Sequence, residues 1–221
     1  MKHPHRRIRT VTAATFILMT MLLSAGCAAP HIRPPVNPPT PAVIYLCDYG
    51  VHSSILLPIG GGRFIEYVYG DWAFAVENQT DPLHTLGALF VSFDPALGRR
   101  VLEPQPGRAY PWPPNGPHFV RPMIVDAAKV QDVVNDLDAR YRRHIDTAKL
   151  NDAPDYKFMF VKDDERYSIF HSCNHLTMRN LKLMDCQIDG WTIGSNFLVD
   201  PPGERRPAGR GPSKFARPVE Y

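Results

Sequence analysis

The sequence predicts an α+β domain, an antiparallel sheet packed against helices, and three observations carry that expectation. Apolar, β-branched and aromatic residues dominate 43–57 and 63–69, and Gly60-Gly61-Gly62 separates the two runs, the pattern of a strand hairpin. Val130, Val133, Val134, Leu137, Tyr141 and Ile145 recur at helical spacing behind Asp126, a residue suited to cap a helix. A further helix is expected from Ser172 through Leu183, with Cys173 at its first position.

Taken in chain order, residues 1–10 are basic and Val11–Leu23 are apolar, interrupted only by threonine. Leu23-Ser24-Ala25-Gly26-Cys27 follows, so residues 1–26 read as a secretory signal whose apolar run is too short to span a membrane comfortably. Pro30, Pro34, Pro35, Pro38, Pro39 and Pro41 then make residues 27–41 an expected extended tether. The folded domain is expected over 42–200. Its first β-run is kinked at Gly50, and Asp71 is placed to cap a short helix from Trp72 to about Glu77. Further strands are expected at Ala88–Ser92, His118–Val125, Tyr156–Val161 and Tyr167–Phe170, with a proline-rich surface loop between Pro104 and Pro117. Residues 201–221 are rich in Pro, Gly and Arg and are expected to be a loose basic tail.

Composition narrows the function. The chain has 221 residues, 44% hydrophobic and 21% charged, which suits one packed domain and excludes wholesale disorder. Its net charge of +3 is local: Lys2, Arg6, Arg7 and Arg9 precede the apolar run, and without them 21 basic residues face 22 acidic ones. No global charge remains with which to hold nucleic acid.

The four cysteines divide by context. Ala25-Gly26-Cys27 resembles the lipobox of bacterial lipoproteins, in which that cysteine is acylated and becomes the new N-terminus. The resemblance implies an anchor at Cys27 and a place in the cell envelope, with outer-membrane sorting favoured because Ala28, not Asp, follows. Three cysteines then remain, an odd number, so in an oxidising compartment at least one stays free or pairs outside the chain. Cys47 lies in an apolar strand run and Cys186 lacks an activating neighbour. Cys173 opens a helix between His171, Ser172, Asn174 and His175, where the helix dipole and free amides favour a thiolate and can receive an oxyanion. If Cys173 stays a thiol, the one internal pair left is Cys47–Cys186. A structural thiol at Cys173, or a bridge from it to Cys186, is the alternative.

Residues 48–57 (DYGVHSSILL), 63–72 (RFIEYVYGDW) and 167–183 (YSIFHSCNHLTMRNLKL) resemble a bacterial family named from urease gene neighbourhoods. More broadly they resemble the circularly permuted branch of the NlpC/P60 papain-like superfamily, which includes lecithin–retinol acyltransferase-like proteins. The resemblance implies a papain-like fold with a histidine on an early strand and a nucleophilic cysteine at a later helix start. It implies Cys173 as nucleophile, His52 as general base and Glu66 as the carboxylate that orients the imidazole. The residues alone leave bland readings open: His52 bonding a backbone carbonyl, Glu66 as a solvated charge, Asp71 as a cap only. His171, Cys173 and His175 lack a fourth ligand at zinc spacing, so no metal is expected, and no cofactor is implied. Two functions follow as expectations. One is an envelope-anchored thiol hydrolase or acyl-transfer enzyme acting on cell-wall peptides or acyl groups. The other is a non-catalytic lipoprotein that binds a peptide or lipid in the same groove.

Overall fold

The structure is a computed structural model that describes residues 29–77, 92, 94–108, 110–111, 116–151, 157–168, 170–191 and 194–203. The expected signal at 1–26, Cys27, most of the strand at Ala88–Ser92 and the tail beyond Gly203 lie outside the described residues.

The first β-run forms two strands rather than one kinked strand: β2 (Pro41–Asp48) and β3 (Ser53–Pro58). Between them Tyr49 N–H donates to the His52 carbonyl at 2.8 Å, and Gly50 takes φ 94°, which side chains disfavour. β4 (Phe64–Asp71) returns after the glycine turn, and Asp71 caps α1 (Trp72–Ala75) by accepting from Phe74 N–H at 2.9 Å. Side-chain alternation divides the hairpin between two faces. Ile44, Leu46, Ile55, Leu57, Ile65 and Tyr67 enter the main core, whereas Tyr45, Cys47, Leu56 and Phe64 form a second cluster.

β5 (Pro95–Leu102), β6 (Phe119–Asp126), β7 (Lys149–Leu150) and β8 (Met159–Lys162) complete a seven-stranded sheet of order β6-β2-β3-β4-β5-β8-β7, every pairing antiparallel. β5 is an interior strand, although its sequence PALGRRVL has no strand-like alternation. Gly98 is required there by close approach: a Cβ would stand 2.5 Å from the Phe160 ring. The main core is covered by α2 (Ala127–Arg142) and α3 (Cys173–Leu183). The α2 stripe buries Val130, Val133, Val134, Leu137 and Tyr141, but it ends there. Ile145 falls in a short 3₁₀ turn and is exposed. The described residues thus form a mixed α+β fold with three α-helices.

Two expectations are corrected. The tether is not a spacer throughout, because β1 (His31–Arg33) lies between β9 (Gln187–Asp189) and β10 (Leu198–Val199) in a second sheet. Ile32 is fully buried, His31 Nδ1 meets Asp200 at 2.9 Å, and Arg33 meets Asp189 at 2.6 Å. Flanking prolines forbid helix but not an extended strand, so the domain begins near Pro30 rather than at 42. Nor do the described residues of the Tyr167–Phe170 expectation form a strand: Tyr167 makes an isolated bridge to Ser92 and Ser168 one to His171, just before α3. Among the described residues no helix is long and apolar enough to cross a membrane.

Candidate active site

Cys173 and His52, 121 residues apart in sequence, meet where the β2–β3 turn abuts the start of α3. Ser53, the residue after His52, makes the junction. Its Oγ donates to Asn174 Oδ1 at 2.8 Å and lies 3.1 Å from Thr177 Oγ1, while Thr177 Oγ1 donates to the Ser53 carbonyl at 3.2 Å. Asn174 Nδ2 reaches the Val51 carbonyl at 3.4 Å. All three side chains are buried, so this polar seam fixes the strand end against the helix and with it the histidine against the sulfur.

The imidazole of His52 hydrogen-bonds the Cys173 thiol, and the backbone amides of Ser53 and Asn174 also point at the sulfur. Burial by itself would push the thiol up, but His52 and the two amides outweigh it and hold Cys173 below its ordinary value of 9.0. Burial by itself would likewise lower His52. The facing sulfur, with Glu66 behind it, reverses that and raises the imidazole above 6.5. The two shifts are one coupling seen from both partners, and they favour thiolate with imidazolium.

Glu66 lies on the strand paired with β3, and its carboxylate is taken up by groups other than the His52 imidazole. It pairs with Leu56 across the β3–β4 ladder, is fully buried, and accepts from Tyr49 Oη at 2.8 Å, Arg100 Nε at 2.7 Å and Ser54 Oγ. It is therefore no solvated charge. Its bonds run to these three groups, and it acts on His52 by charge and through Tyr49, whose ring lies 5.6 Å from the imidazole. Asp71 caps α1 and accepts from Ser92 Oγ, a structural pairing.

A second charged cluster holds the segment before Cys173. Arg140 on α2 is buried and pairs with Asp163, with Nε at 2.8 Å, and with Glu165 at 2.8 Å. Glu165 also meets His171 Nε2 and Arg179 at 2.9 Å each, and its carbonyl accepts from Tyr69 Oη. His171 is thus bound to a carboxylate, not aimed at the thiol pair. His175, at the third position of α3, turns back to Ser172, whose Oγ stands 3.0 Å from Nδ1. Its Nε2 is buried and has no partner among the described residues. Among those residues no three His, Cys, Asp or Glu converge on a metal position.

Cys47 and Cys186 are free thiols in clusters on different faces of the sheet, so the Cys47–Cys186 pairing does not form, nor does Cys173 bridge Cys186. Burial pushes Cys47 well up, and burial with Asp185 pushes Cys186 to about 12, leaving both inert beside Cys173. A small crevice with room for about one water opens beside the sulfur between Tyr67, Tyr69, Leu137 and Thr177. The Tyr167 ring lies 5.4 Å from that of Tyr69, tilted against it. Burial and the nearby sulfur push the Tyr167 phenol up, so it stays a proton donor.

Tyr49, Ser53 and Arg100 escape sequence reasoning. Tyr49 and Ser53 flank a motif already noticed, but nothing in RR of β5 marks one arginine as the counterion of Glu66. No protein-family model, curated protein or solved structure matches the chain, so the functional reading rests on the geometry of this site.

Proposed function

We propose that the protein is a papain-like cysteine hydrolase or acyl transferase of the permuted NlpC/P60 kind, anchored in the bacterial envelope through an acylated Cys27. The observation that carries this reading is the Cys173–His52 pair at a helix N-terminus, with the thiol held low and the imidazole held high. The thiolate attacks the carbonyl carbon of an amide or ester, and the carbonyl electron pair moves to oxygen. The amides at the helix start are positioned to stabilise that charge. The intermediate collapses as imidazolium gives its proton to the leaving amine or alkoxide, leaving a thioester on Cys173. Neutral His52 then takes a proton from water, or from another acceptor, which cleaves the thioester. Glu66 with Tyr49 is a positioning pair for this histidine.

The test is mass spectrometry of the protein after exposure to activated acyl esters and to cell-wall peptide amides. Acyl mass mapped to Cys173, absent in Cys173→Ala and greatly reduced in His52→Ala, supports the enzyme. An unmodified Cys173 with every acyl donor would leave a binding protein. The anchor is read separately: Cys27→Ser should release the chain from the membrane fraction or leave it unprocessed.

A further inference from the structure

The placement of β1 brings the N-terminal chain to a particular surface. Pro30 is buried, and a Cβ on Gly190 would stand 3.3 Å from Pro30 Cα, so the two backbones touch. The next residue, Trp191, is 40% exposed, and its ring lies 6.0 Å from that of Phe170, which is 73% exposed. Trp191 also covers His175 at 5.5 Å, on the first turn of α3. Two large aromatic side chains therefore stand in solvent beside the place where the chain arrives from Cys27. Two residues separate Cys27 from Pro30, and the three Cα–Cα steps between them reach at most about 11 Å.

We propose that Phe170 and Trp191 form a membrane-docking surface, seated in the headgroup layer of the phospholipid bilayer that holds the acyl chains of Cys27. This rests on the lipoprotein reading given above. An anchor on a long spacer would leave the domain free to tumble; an anchor tied to β1 holds one face toward the lipid. Aromatic rings of this kind favour the boundary between apolar chains and water, and indole does so most of all. The same face adjoins the start of α3, because Trp191 packs on His175 in its first turn. Docking therefore presents the α3 start to acyl groups carried by membrane lipids, which becomes the favoured substrate class over cell-wall peptides.

The experiment uses the full chain, made with its leader, extracted, and reconstituted in phosphatidylethanolamine–phosphatidylglycerol vesicles with acyl chains brominated near the headgroup. Trp191 is one of three tryptophans, and Trp72 is buried. Bromine should quench about a third of the wild-type emission, an even share among three rings, through short-range contact with an indole at the lipid boundary. Trp191→Phe should lose that quenching while remaining on the vesicles. Intact mass of the same sample reads the acylation of Cys27. Acylated protein without Trp191-dependent quenching overturns the docking surface and leaves the anchor standing. A Phe170→Cys chain that links to a second copy through this face overturns the docking surface equally. A chain lacking acyl mass on Cys27 removes the anchor and the docking surface with it.

Discussion

Two charged clusters stand behind the two halves of the Cys–His pair, and they are built differently. The Glu66–Arg100 cluster behind His52 is closed: both side chains are within 5% of full burial, and Tyr49 and Ser54 complete the carboxylate's bonds. The Arg140 cluster behind Cys173 is graded. Arg140 and Asp163 are buried, Glu165 is 35% exposed and Arg179 is 45% exposed. The first meets the site through a side chain, the Tyr49 ring on His52; the second holds backbone, the run from Asp163 to His171 that leads into α3. Damage to the first should therefore reach the protonation of His52 as well as stability. Damage to the second should shift Cys173 in space and weaken toward its solvent edge.

The largest effect is expected from Arg100→Met, which strands a fully buried Glu66. Losing one partner of a buried pair costs about 3–5 kcal/mol, read as a fall in the urea midpoint without a change in slope. Arg140→Met strands Asp163 in the same way and should approach that loss, but with Glu165 still able to turn to Arg179 and His171. Equal tolerance of both substitutions would erase the distinction between closed and graded clusters. Tyr49→Phe keeps the ring on His52 and deletes one hydrogen bond to Glu66, which has two other donors. About 1 kcal/mol of stability should go, together with a measurable shift in the pH profile of Cys173 reactivity. A profile identical to wild type would sever Glu66 from the histidine.

Smaller still is the acid response. Burial would raise the Glu165 carboxyl, but Arg140, Arg179 and His171 hold it below its ordinary 4.5. A carboxyl lowered in the folded state contributes stability above its unfolded value, and that contribution fades as pH falls through the lowered one. Glu165→Gln should therefore flatten the loss of stability below about pH 4.5, measured as midpoint against pH. An unchanged acid limb would show that Glu165 is bypassed. At the exposed edge, Arg179→Ala should cost about 0–1 kcal/mol, as surface ion pairs do.

The sequence displays the parts of this arrangement that follow from local pattern. Cys173 is legible because a helix start, a flanking Ser and the elimination of Cys47 and Cys186 all point to it. The β3–β4 hairpin is legible because Gly60-Gly61-Gly62 separates two apolar runs, and α2 because its stripe is regular. What escapes is long-range compensation. β5 hides because Arg99 and Arg100 look solvated, yet Arg99 pairs with Asp138 at 2.6 Å and Arg100 with Glu66. β1 hides because its one buried apolar residue, Ile32, sits in a proline-rich stretch, and its partners lie more than 150 residues away. The bonds of Glu66 escape for a related reason: the hairpin pattern shows its strand, but the partners that claim its oxygens come from the β2–β3 turn, β3 and β5.

The central claim is that His52 lowers the Cys173 thiol and so favours its thiolate. Its most direct test is the rate of iodoacetamide alkylation of Cys173 against pH, in the wild type and in His52→Ala, with the modified residue mapped by mass. Because the thiol is lowered, the wild-type rate should rise through a midpoint below 9.0. In His52→Ala burial is no longer outweighed, so the midpoint should climb to the ordinary thiol value or above it. The rate near neutral pH should then drop with the thiolate fraction, which falls as the midpoint rises. Coincident profiles for the two proteins, or a wild-type midpoint at or above 9.0, would contradict the pairing on which the proposed chemistry depends.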